Sequence, residues 1–183
     1  MASPLPNYWL PERKEITMER TIIRPARYDD VEAMSGLLQE LFTLEKDFSP
    51  DPVKQRSGLK QLLISPTAII FAAEYDGEIV GMCTVQKVIS TAEGGISGLL
   101  EDLIVTPRCR DCGIGQSLIL FAEKWAINQG LVRLQLLAEA DNIAASRFYD
   151  RAGWQKTGLI CRRKMLNKPE LNFVNSYSNR FGG

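Results

Sequence analysis

The apolar residues of this chain recur first with the period of a helix and then with the period of a strand. After a short apolar stretch at Thr21–Arg24, helical spacing joins six residues: Val31, Met34, Leu37, Leu38, Leu41 and Phe42. This spacing predicts an amphipathic helix, and Asp29 with Glu32 three residues later predicts a capping box at its start. The dipeptide Asp51-Pro52 is typical of the start of a second helix.

Two apolar stretches, 69–75 and 78–88, are separated only by the dipeptide Asp76-Gly77. An Asp-Gly pair between two apolar stretches is typical of a tight hairpin turn, so we predict two antiparallel strands here. The next stretch, 90–98, contains several glycines and no apolar pattern. We therefore predict a loop at that place.

Residues 99–105 form the predicted central strand, which a proline soon ends. Successive side chains of a strand point to opposite faces. We therefore expect Leu100, Asp102 and Ile104 on one face and the residues between them on the other. On that basis only one of the adjacent carboxylates, Glu101 or Asp102, would line a given cleft.

The last third of the chain is predicted to alternate between helices and strands. Helical spacing after residue 113 joins Ile114, Leu118, Phe121, Ala122 and Trp125. A strand at 132–138 and a short helix after Asn142 follow. The buried side of that short helix is expected to hold Ala145, Phe148 and Tyr149. The apolar stretches 154–155 and 159–166 then predict a final pair of strands.

The predicted elements occupy residues 21–166 and are expected to form one domain. Residues 1–20 carry prolines, aromatic residues and scattered charge without a sustained period, and they predict an N-terminal arm. Residues 167–183 are rich in Asn, Ser and Gly and predict a C-terminal tail. A chain of 183 residues with 45% hydrophobic residues is typical of one globular domain with short extensions.

Charge and cysteine content argue against several classes of protein. The 22 basic residues balance 22 acidic residues, so no net charge would attract the chain to nucleic acid or an anionic membrane. We find no signal peptide and no apolar stretch long enough to cross a bilayer. The C-x-x-C pair Cys109 and Cys112 does not indicate a zinc site, because the chain has no second close pair of Cys and no His. We expect reduced thiols, no metal and a cytoplasmic location.

Between the central strand and the next helix the chain reads RDCGIG, from Arg110 to Gly115. The two glycines let the backbone turn sharply beside a bulky anion. The unpaired N–H groups and the dipole at the start of a helix attract negative charge, and Arg110 adds a full positive charge. No Lys follows Gly115 and the glycine spacing is wrong for a dinucleotide fingerprint. The stretch therefore predicts a phosphate-binding loop of another kind.

A second stretch, NIAASRFYDRAGW, runs from Asn142 to Trp154. Asn142 and Tyr149 are seven residues apart, about two helical turns, so both can face one elongated ligand. Considered alone, Asn142 would be interpreted as a helix cap and Tyr149 as a core aromatic residue. The order of the two stretches along the chain, with a predicted helix and strand between them, is the additional evidence that both bind a ligand.

These two stretches resemble motifs A and B of the GNAT superfamily, the acetyl-CoA-dependent N-acetyltransferases, and the resemblance covers roughly residues 21–166. Motif A, R/Q-x-x-G-x-G/A, wraps the pyrophosphate of coenzyme A in that family, and motif B reads N-x-x-A-x-x-F-Y-x-x-x-G-F/W. The resemblance implies a mixed α/β fold. We expect a central, mostly antiparallel twisted sheet of about six to seven strands, splayed at the central strand and flanked by about four helices.

The resemblance also implies which residues bind acetyl-CoA. Backbone N–H groups of the splayed strand would face the thioester, and the glycine-containing loop would hold the pyrophosphate. Motif B would line the rest of the acetyl-CoA molecule. The implied binding residues are Leu103, Ile104, Val105, Arg110, Asp111, Cys112, Gly113, Ile114, Gly115, Gln116, Ser117, Asn142, Ser146 and Tyr149.

The reaction implied by the resemblance is direct attack of a primary amine on acetyl-CoA in a ternary complex. Tyr149 matches the family tyrosine that protonates the departing thiolate. The stretch Leu100–Val105, LEDLIV, looks like the L-E-D-F-F-V stretch of spermidine/spermine N-acetyltransferases. On that match we prefer Glu101 as the base that deprotonates the amine, with Asp102 as the other candidate. A structural role for both carboxylates stays open.

The acceptor is expected to be a small amine: a polyamine, a diamine or an amino acid. A solvated face and a helix cap are the preferred explanation of an acidic group near the end of the first helix, although the group also favours a cationic acceptor: Glu40, Glu45, Asp47 and Asp51. The alternatives are a protein acetyltransferase acting on an N-terminus or a lysine, and a CoA-binding sensor without turnover. The resemblance also makes a homodimer an expectation.

Overall fold

The structure, a computed structural model, describes residues 20–166. Its centre is one five-stranded sheet whose strands follow the order of the chain. The strands are β1 (Thr21–Pro25), β2 (Ala68–Tyr75), β3 (Glu78–Ser90), β4 (Gly95–Val105) and β5 (Arg133–Leu136). Neighbouring strands are antiparallel except β4 and β5, which are parallel. The predicted tail, and all of the predicted arm except Arg20, lie outside the described residues.

Four helices cover the sheet: α1 (Val31–Leu44), α2 (Pro52–Ile64), α3 (Ile114–Asn128) and α4 (Ile143–Arg151). They form two layers with separate hydrophobic cores. On one face α1 and α2 pack over the sheet through residues such as Met34, Leu59 and Met82. On the other face α3 packs through Leu118 and Ala122. This arrangement confirms the predicted mixed α/β fold with a mostly antiparallel sheet.

Two local signals in the sequence form the turns that they predict. The Asp51 carboxylate accepts hydrogen bonds from the backbone N–H groups of Val53 and Lys54, at 3.1 and 3.2 Å, and so caps α2. Asp76 and Gly77 have φ angles of 51° and 82°, as a two-residue type I′ hairpin requires. The β2–β3 hairpin and the start of α2 are therefore confirmed.

The predicted number of strands was too high, because the final strand pair does not form within the described residues. The stretches 154–155 and 159–166 carry no strand, and the side chains of Leu159 and Leu166 are 86% and 85% exposed. An apolar stretch becomes a strand only where a neighbouring strand pairs with its backbone. Here Arg163 instead donates to the backbone oxygen of Asp47, at 3.0 Å.

The predicted loop at 90–98 is also wrong, because most of it is strand. The ladder between β3 and β4 extends to the pair Ser90–Gly95, which leaves only a short turn. Glycine inside β4 has a packing reason. A Cβ atom at Gly98 would lie 2.6 Å from Leu134 Cδ2, so only glycine lets β5 approach this closely.

The helix and strand that follow β4 differ in detail from their predictions. Ile114, Leu118 and Ala122 are buried as expected, but Phe121 lies at the edge of the core and is 40% exposed. It packs edge-on against Phe71, with ring centroids 6.2 Å apart. The strand predicted at 132–138 is shorter, because β5 stops pairing with β4 at Leu136.

The start of α1 is organised by an ion-pair network that the capping prediction missed. The helix begins at Val31 after a short 3-10 turn, so the predicted cap at Asp29 is wrong. The Asp30 carboxylate accepts two hydrogen bonds from Arg24, at 2.7 and 2.9 Å, and one from the Arg27 N–H at 2.6 Å. Arg24 also donates to Glu74 at 2.7 Å. The network fastens β1, β2 and α1 together.

We expect Asp30→Asn to lower the free energy of unfolding by about 2–4 kcal/mol at neutral pH, because it leaves a largely buried Arg24 without its main partner. Hydrogen bonds from Arg24 hold the pKa of Asp30 below its usual range. The contribution of this carboxylate is therefore present above about pH 4 and is lost as the pH falls through the lowered pKa. Urea unfolding at pH 7 and at acidic pH measures both effects.

The matched control is Asp29→Asn, which removes the same charge from an exposed neighbour in the same turn. It should change the free energy of unfolding by less than about 0.5 kcal/mol. Equal unfolding free energies for wild type and Asp30→Asn would contradict the role of the network.

Candidate active site

A small cavity lies where β4 and β5 separate. The two strands pair from Ser97–Arg133 to Leu100–Leu136, and beyond that point the edge of β4 that faced β5 has no ladder partner within residues 20–166. The cavity has a volume of about 60 Å³. It is lined by Leu41, Glu45, Leu100, Glu101, Asp102, Leu103, Leu136, Leu137 and Tyr149. All three predicted catalytic residues therefore meet in one cavity.

A β-bulge in β4 brings two carboxylates to this cavity. The β3–β4 register shifts so that Met82 pairs with Ile104 while Thr84 pairs with Glu101. One extra residue is accommodated in β4, and Asp102 has a φ of 54°. The expectation that Glu101 and Asp102 serve opposite sides is therefore wrong, because both line the cavity.

The bulge also reverses which residues of β4 face which helix layer. Leu100 packs in the core beneath α3, whereas Ile104 packs in the core beneath α1. An unbroken strand would place these two residues on the same face. The predicted alternation is therefore wrong beyond Glu101, and the inserted residue is its physical cause.

The two carboxylates have different surroundings. Burial, together with the negative charge of Glu101, raises the pKa of Asp102 to about 6, and a hydrogen bond from the Thr84 hydroxyl at 3.2 Å opposes this shift. Glu101 accepts a hydrogen bond from the Gln86 side-chain amide at 2.8 Å. Thr84 and Gln86 were not predicted as site residues from the sequence. Their signal is two polar residues at alternate positions of an apolar strand.

A third carboxylate, that of Glu45, lines the cavity from the end of α1. Glu45 is the C-cap residue of that helix, and the last turn of α1 has no basic residue. Burial, and then the nearby charges of Asp102, Glu139 and Asp47, raise the pKa of Glu45. The site therefore concentrates negative charge.

The other members of the predicted acidic group have separate roles. Asp51 caps α2, and Asp47 accepts hydrogen bonds from Arg163 through its backbone and side chain. Glu40 lies in a second groove of about 480 Å³, which runs between α1 and the loop that follows β4. This groove also contains Pro107 and Arg110.

Tyr149 reaches the cavity from α4. The side-chain oxygen of Asn142 accepts a hydrogen bond from the Ala145 N–H at 3.0 Å and begins this helix as its N-cap. Burial is the main cause that raises the pKa of Tyr149 to about 12, so the phenol is protonated at neutral pH. Its ring packs against Phe148 and Trp154, with centroids 5.3 and 6.2 Å apart. No hydrogen bond to its hydroxyl is present among the described residues.

The predicted phosphate loop has the open geometry that an anion needs. Asp111 and Gly113 have φ angles of 60° and 83°, and no side chain caps α3. The first intrahelical bond at this end runs from Ser117 N to the Gly113 oxygen at 3.0 Å. The N–H groups of the preceding residues, from Ile114 onward, are therefore without helical acceptors. These open N–H groups agree with the predicted pyrophosphate site, which stays a prediction.

Other residues of the loop hold its shape. The Arg110 side chain donates through Nε to the backbone oxygen of Val105 at 2.9 Å, which ties the loop to the end of β4. The Cys112 thiol lies 3.3 Å from the Arg110 oxygen. A Cβ atom at Gly115 would lie 3.4 Å from Phe148 Cζ. The loop is therefore a direct neighbour of the helix that carries Tyr149.

The remaining predicted binding residues lie at the two ends of this region. Asp111, Gln116 and Ser117 belong to the loop and the first turn of α3, and Ser146 is half-buried on α4. The side chain of Ile104 is 5% exposed beneath α1, so only its backbone could reach a ligand at the edge of β4. These roles remain predictions.

Two further features of the described residues bear on chemistry. All four cysteines are free thiols, and within residues 20–166 no group of three or more His, Cys, Asp or Glu side chains is arranged to hold a metal ion. Each helix in that range is too short or too polar to cross a bilayer.

Comparison with known proteins places the sequence in one family. Residues 32–154 match the model of the acetyltransferase (GNAT) family. An aminoalkylphosphonate N-acetyltransferase of Salmonella typhimurium is 28% identical over 148 residues, covering 81% of this chain and 94% of that protein. An aminoglycoside N(6')-acetyltransferase of Klebsiella aerogenes is 28% identical over 104 residues, covering 55% and 68%.

The fold is also similar to that of solved structures. The solved structure of an aminoglycoside N-acetyltransferase in complex with CoA matches with a TM-score of 0.69 and 18% identity, covering 79% of this chain and 94% of that one. At this level of identity the match establishes the shared fold.

Proposed function

Because the chain belongs to the GNAT acetyltransferase family, we propose that it transfers the acetyl group of acetyl-CoA to a primary amine of a small molecule. The observation that carries this proposal is the cavity in which Glu101, Asp102 and Tyr149 meet. Such a cavity combines a base for the amine with a proton donor for the departing thiolate. The aminoalkylphosphonate and aminoglycoside acetyltransferases support a small amine as the acceptor.

The experiment that tests this function measures thiol release from acetyl-CoA across a panel of amines, amino acids and peptides. We expect turnover with small amines. Turnover with peptides alone would favour the alternative of a protein acetyltransferase. Acetyl-CoA binding without any turnover would favour a CoA-binding sensor, and the absence of both would contradict the proposal.

Acetyl-CoA supplies a thioester that is activated toward amines. The residues of this chain that fit its pyrophosphate are those of the loop and helix start, Arg110 to Ser117, through backbone N–H groups and the Arg110 charge. Asn142 and Ser146 on α4 lie on the side of Tyr149 and complete the proposed binding surface. The second groove, beside Arg110, offers further room for an elongated molecule.

The free edge of β4 provides donors for the acetyl oxygen. Beyond Leu100 this edge is not paired with β5, so backbone N–H groups in the stretch Leu103–Val105 are available on that side. Donors fixed in advance stabilise the negative charge that develops on the oxygen in the transition state. The divergence of two strands therefore creates both the cavity and its oxyanion donors.

The surroundings of the carboxylates support Asp102 as the base, in place of our first preference for Glu101. A primary amine has a pKa near 10 and is largely protonated at neutral pH. Asp102, with a pKa of about 6, is ionised at pH 7 and is a stronger base than an ordinary carboxylate. Glu101 is already held by Gln86 and raises the basicity of its neighbour. The proton passes to Asp102 directly or through one water.

Tyr149 then acts at the leaving group. Its phenol is neutral, faces the cavity and makes no competing hydrogen bond among the described residues. Donation of a hydrogen bond stabilises the thiolate as the carbon–sulfur bond breaks, and transfer of the proton completes the release of the thiol. The former amine nitrogen then loses its extra proton, which leaves a neutral amide and restores the phenol. Expulsion of the tetrahedral species is the step that this residue assists.

We expect Tyr149→Phe to lower kcat by about 10²-fold, the usual effect of losing a general acid, while acetyl-CoA affinity changes little. The packing of the ring against Phe148 and Trp154 survives the substitution. Steady-state kinetics and calorimetric titration measure the two quantities. Tyr28→Phe removes a hydroxyl from an exposed ring, 60% accessible, and is the matched control. Wild-type kcat in Tyr149→Phe would assign the proton to another donor.

A homodimer and a cytoplasmic location complete the proposal. Both rest on the sequence and on the family resemblance, and size-exclusion chromatography with light scattering measures the first.

A further inference from the structure

The acceptor cavity carries three carboxylates, and none of them forms an ion pair with a described residue. Glu101 is held by the neutral Gln86 amide, and Asp102 by the neutral Thr84 hydroxyl. Glu45 has neither an ion pair nor a hydrogen bond from another described side chain. No Lys or Arg of residues 20–166 lines the cavity. The negative charge of the cavity is therefore not neutralised by the described part of the chain.

The end of α1 adds to this negative potential. The last carbonyl groups of a helix carry a partial negative charge, which a Lys, Arg or His in the last turn usually offsets. The last turn of α1 has no such residue, and its C-cap is Glu45. A cation at this position would be stabilised both by the carboxylate and by the helix end.

Two basic residues at the α1–α2 connection, Lys46 and Arg163, are engaged with other partners. Lys46 pairs with Asp141, and its backbone N–H donates to Glu139 at 2.8 Å. Arg163 contacts Asp47 and lies over the Phe48 ring, 5.0 Å from its centroid. Both basic residues are therefore held by partners other than Glu45. Among the described residues, Glu45 has no basic partner.

We propose that the acceptor is a small amine with at least one further cationic group, which Glu45 binds while the reacting amine lies at Asp102 and Tyr149. This inference rests on the proposed function and names the substrate class of the same site. A second ammonium group supplies the missing counter-charge at the end of α1. An acceptor whose second group is a phosphonate or carboxylate would place like charges together, which is strongly unfavourable.

A dicationic acceptor would distinguish this chain from one of its relatives. The Salmonella typhimurium protein is named for an aminoalkylphosphonate, an amine that carries an anionic group. The described part of the chain offers no cationic side chain to such a group in the cavity. We therefore infer that this chain prefers polycationic amines to aminoalkylphosphonates as acceptors.

The experiment compares four acceptors with one chain length: pentylamine, cadaverine, ω-aminopentanoate and ω-aminopentylphosphonate. Initial rates at saturating acetyl-CoA give kcat/KM for each. We expect cadaverine to exceed pentylamine by about tenfold to a hundredfold, because one hydrogen-bonded charge contact is gained. The two anionic acceptors should fall below pentylamine.

Glu45→Gln tests the named residue, because it keeps the shape of the side chain and removes its charge. The ratio of kcat/KM for cadaverine to that for pentylamine should fall by about tenfold or more in this variant. The control is Glu32→Gln, which removes one charge from the exposed start of the same helix and should leave the ratio unchanged.

The outcomes distinguish the inference from the function on which it rests. Turnover with a ratio near one, or a better rate with the phosphonate, would overturn the inference alone. A wild-type ratio in Glu45→Gln would overturn the role of Glu45. Absence of turnover with every acceptor, together with absence of acetyl-CoA binding by calorimetry, would overturn the proposed function and the inference with it.

Discussion

Gly115→Glu is expected to abolish acetyl-CoA binding while the chain stays folded. The substitution puts a carboxylate at the start of α3, where open N–H groups and the loop would receive the pyrophosphate. Juxtaposing like charges costs several kcal/mol, so the affinity should fall by more than about a hundredfold. Isothermal titration calorimetry measures the affinity, and circular dichroism with thermal melting checks the fold.

Two further variants separate the effect of the added side chain from the effect of the added charge. A Cβ atom at Gly115 would touch Phe148 at 3.4 Å, so Gly115→Ala measures the cost of that contact without a charge and should bind acetyl-CoA nearly as well as wild type. Gln116→Glu adds a negative charge at an exposed position of the same turn and should also weaken binding. Unchanged affinity in folded Gly115→Glu and in Gln116→Glu would show that the loop does not hold the pyrophosphate.

Asp102→Asn is expected to lower the rate of acetyl transfer at neutral pH by about 10²-fold or more. The wild-type rate should rise with pH as Asp102 ionises, around its pKa of about 6. The variant cannot accept the proton, so its rate should follow the fraction of neutral amine in solution. Much of the loss should therefore be recovered near pH 10, where that fraction becomes large.

Glu101→Gln is the matched comparison for this variant, because it removes the other carboxylate of the pair. Without a role as base, Glu101→Gln should lack the alkaline recovery. Recovery in Glu101→Gln and not in Asp102→Asn would return the assignment to Glu101. Recovery in neither would place deprotonation outside the pair.

Loss of stability is not expected to explain the low rate of Asp102→Asn. An acid whose pKa is raised by folding destabilises the folded state at pH values above that pKa, and the penalty disappears as the pH falls below it. Removing this charge should therefore leave Tm at neutral pH equal to or above the wild-type value. A fall in Tm would mean that the carboxylate has a structural role.

The elements that sequence predicts well are those fixed by a few neighbouring residues. The Asp51 cap and the Asp76-Gly77 turn follow from the local hydrogen bonding and φ angles of these residues alone. The meeting of Tyr149 with the β4 carboxylates followed from the resemblance to a family, since no local signal relates a helix near the end of the chain to the central strand.

The features that sequence missed depend on distant partners. The stretch around Asp102 gives only a weak signal of a bulge, because Asp adopts a positive φ more often than most residues but far less readily than Gly. The register of β3 against both halves of β4 creates it. The stretch 159–166 shows the converse. Its apolar pattern predicts a strand, but a strand forms only where a neighbouring strand pairs with its backbone. Arg163 instead contacts Asp47 in the α1–α2 connection.

The bulge in β4 also decides where this chain tolerates insertions and deletions. Leu100 and Ile104 belong to different helix layers because one extra residue lies between them. Deleting that residue would restore a regular pleat and turn every later side chain of the strand to the wrong layer. The turn at 91–94 has no such constraint, since its ends are fixed by the ladder and its residues lie at the surface. Among related sequences, we therefore expect length variation at this turn and a constant residue count from Leu100 to Ile104.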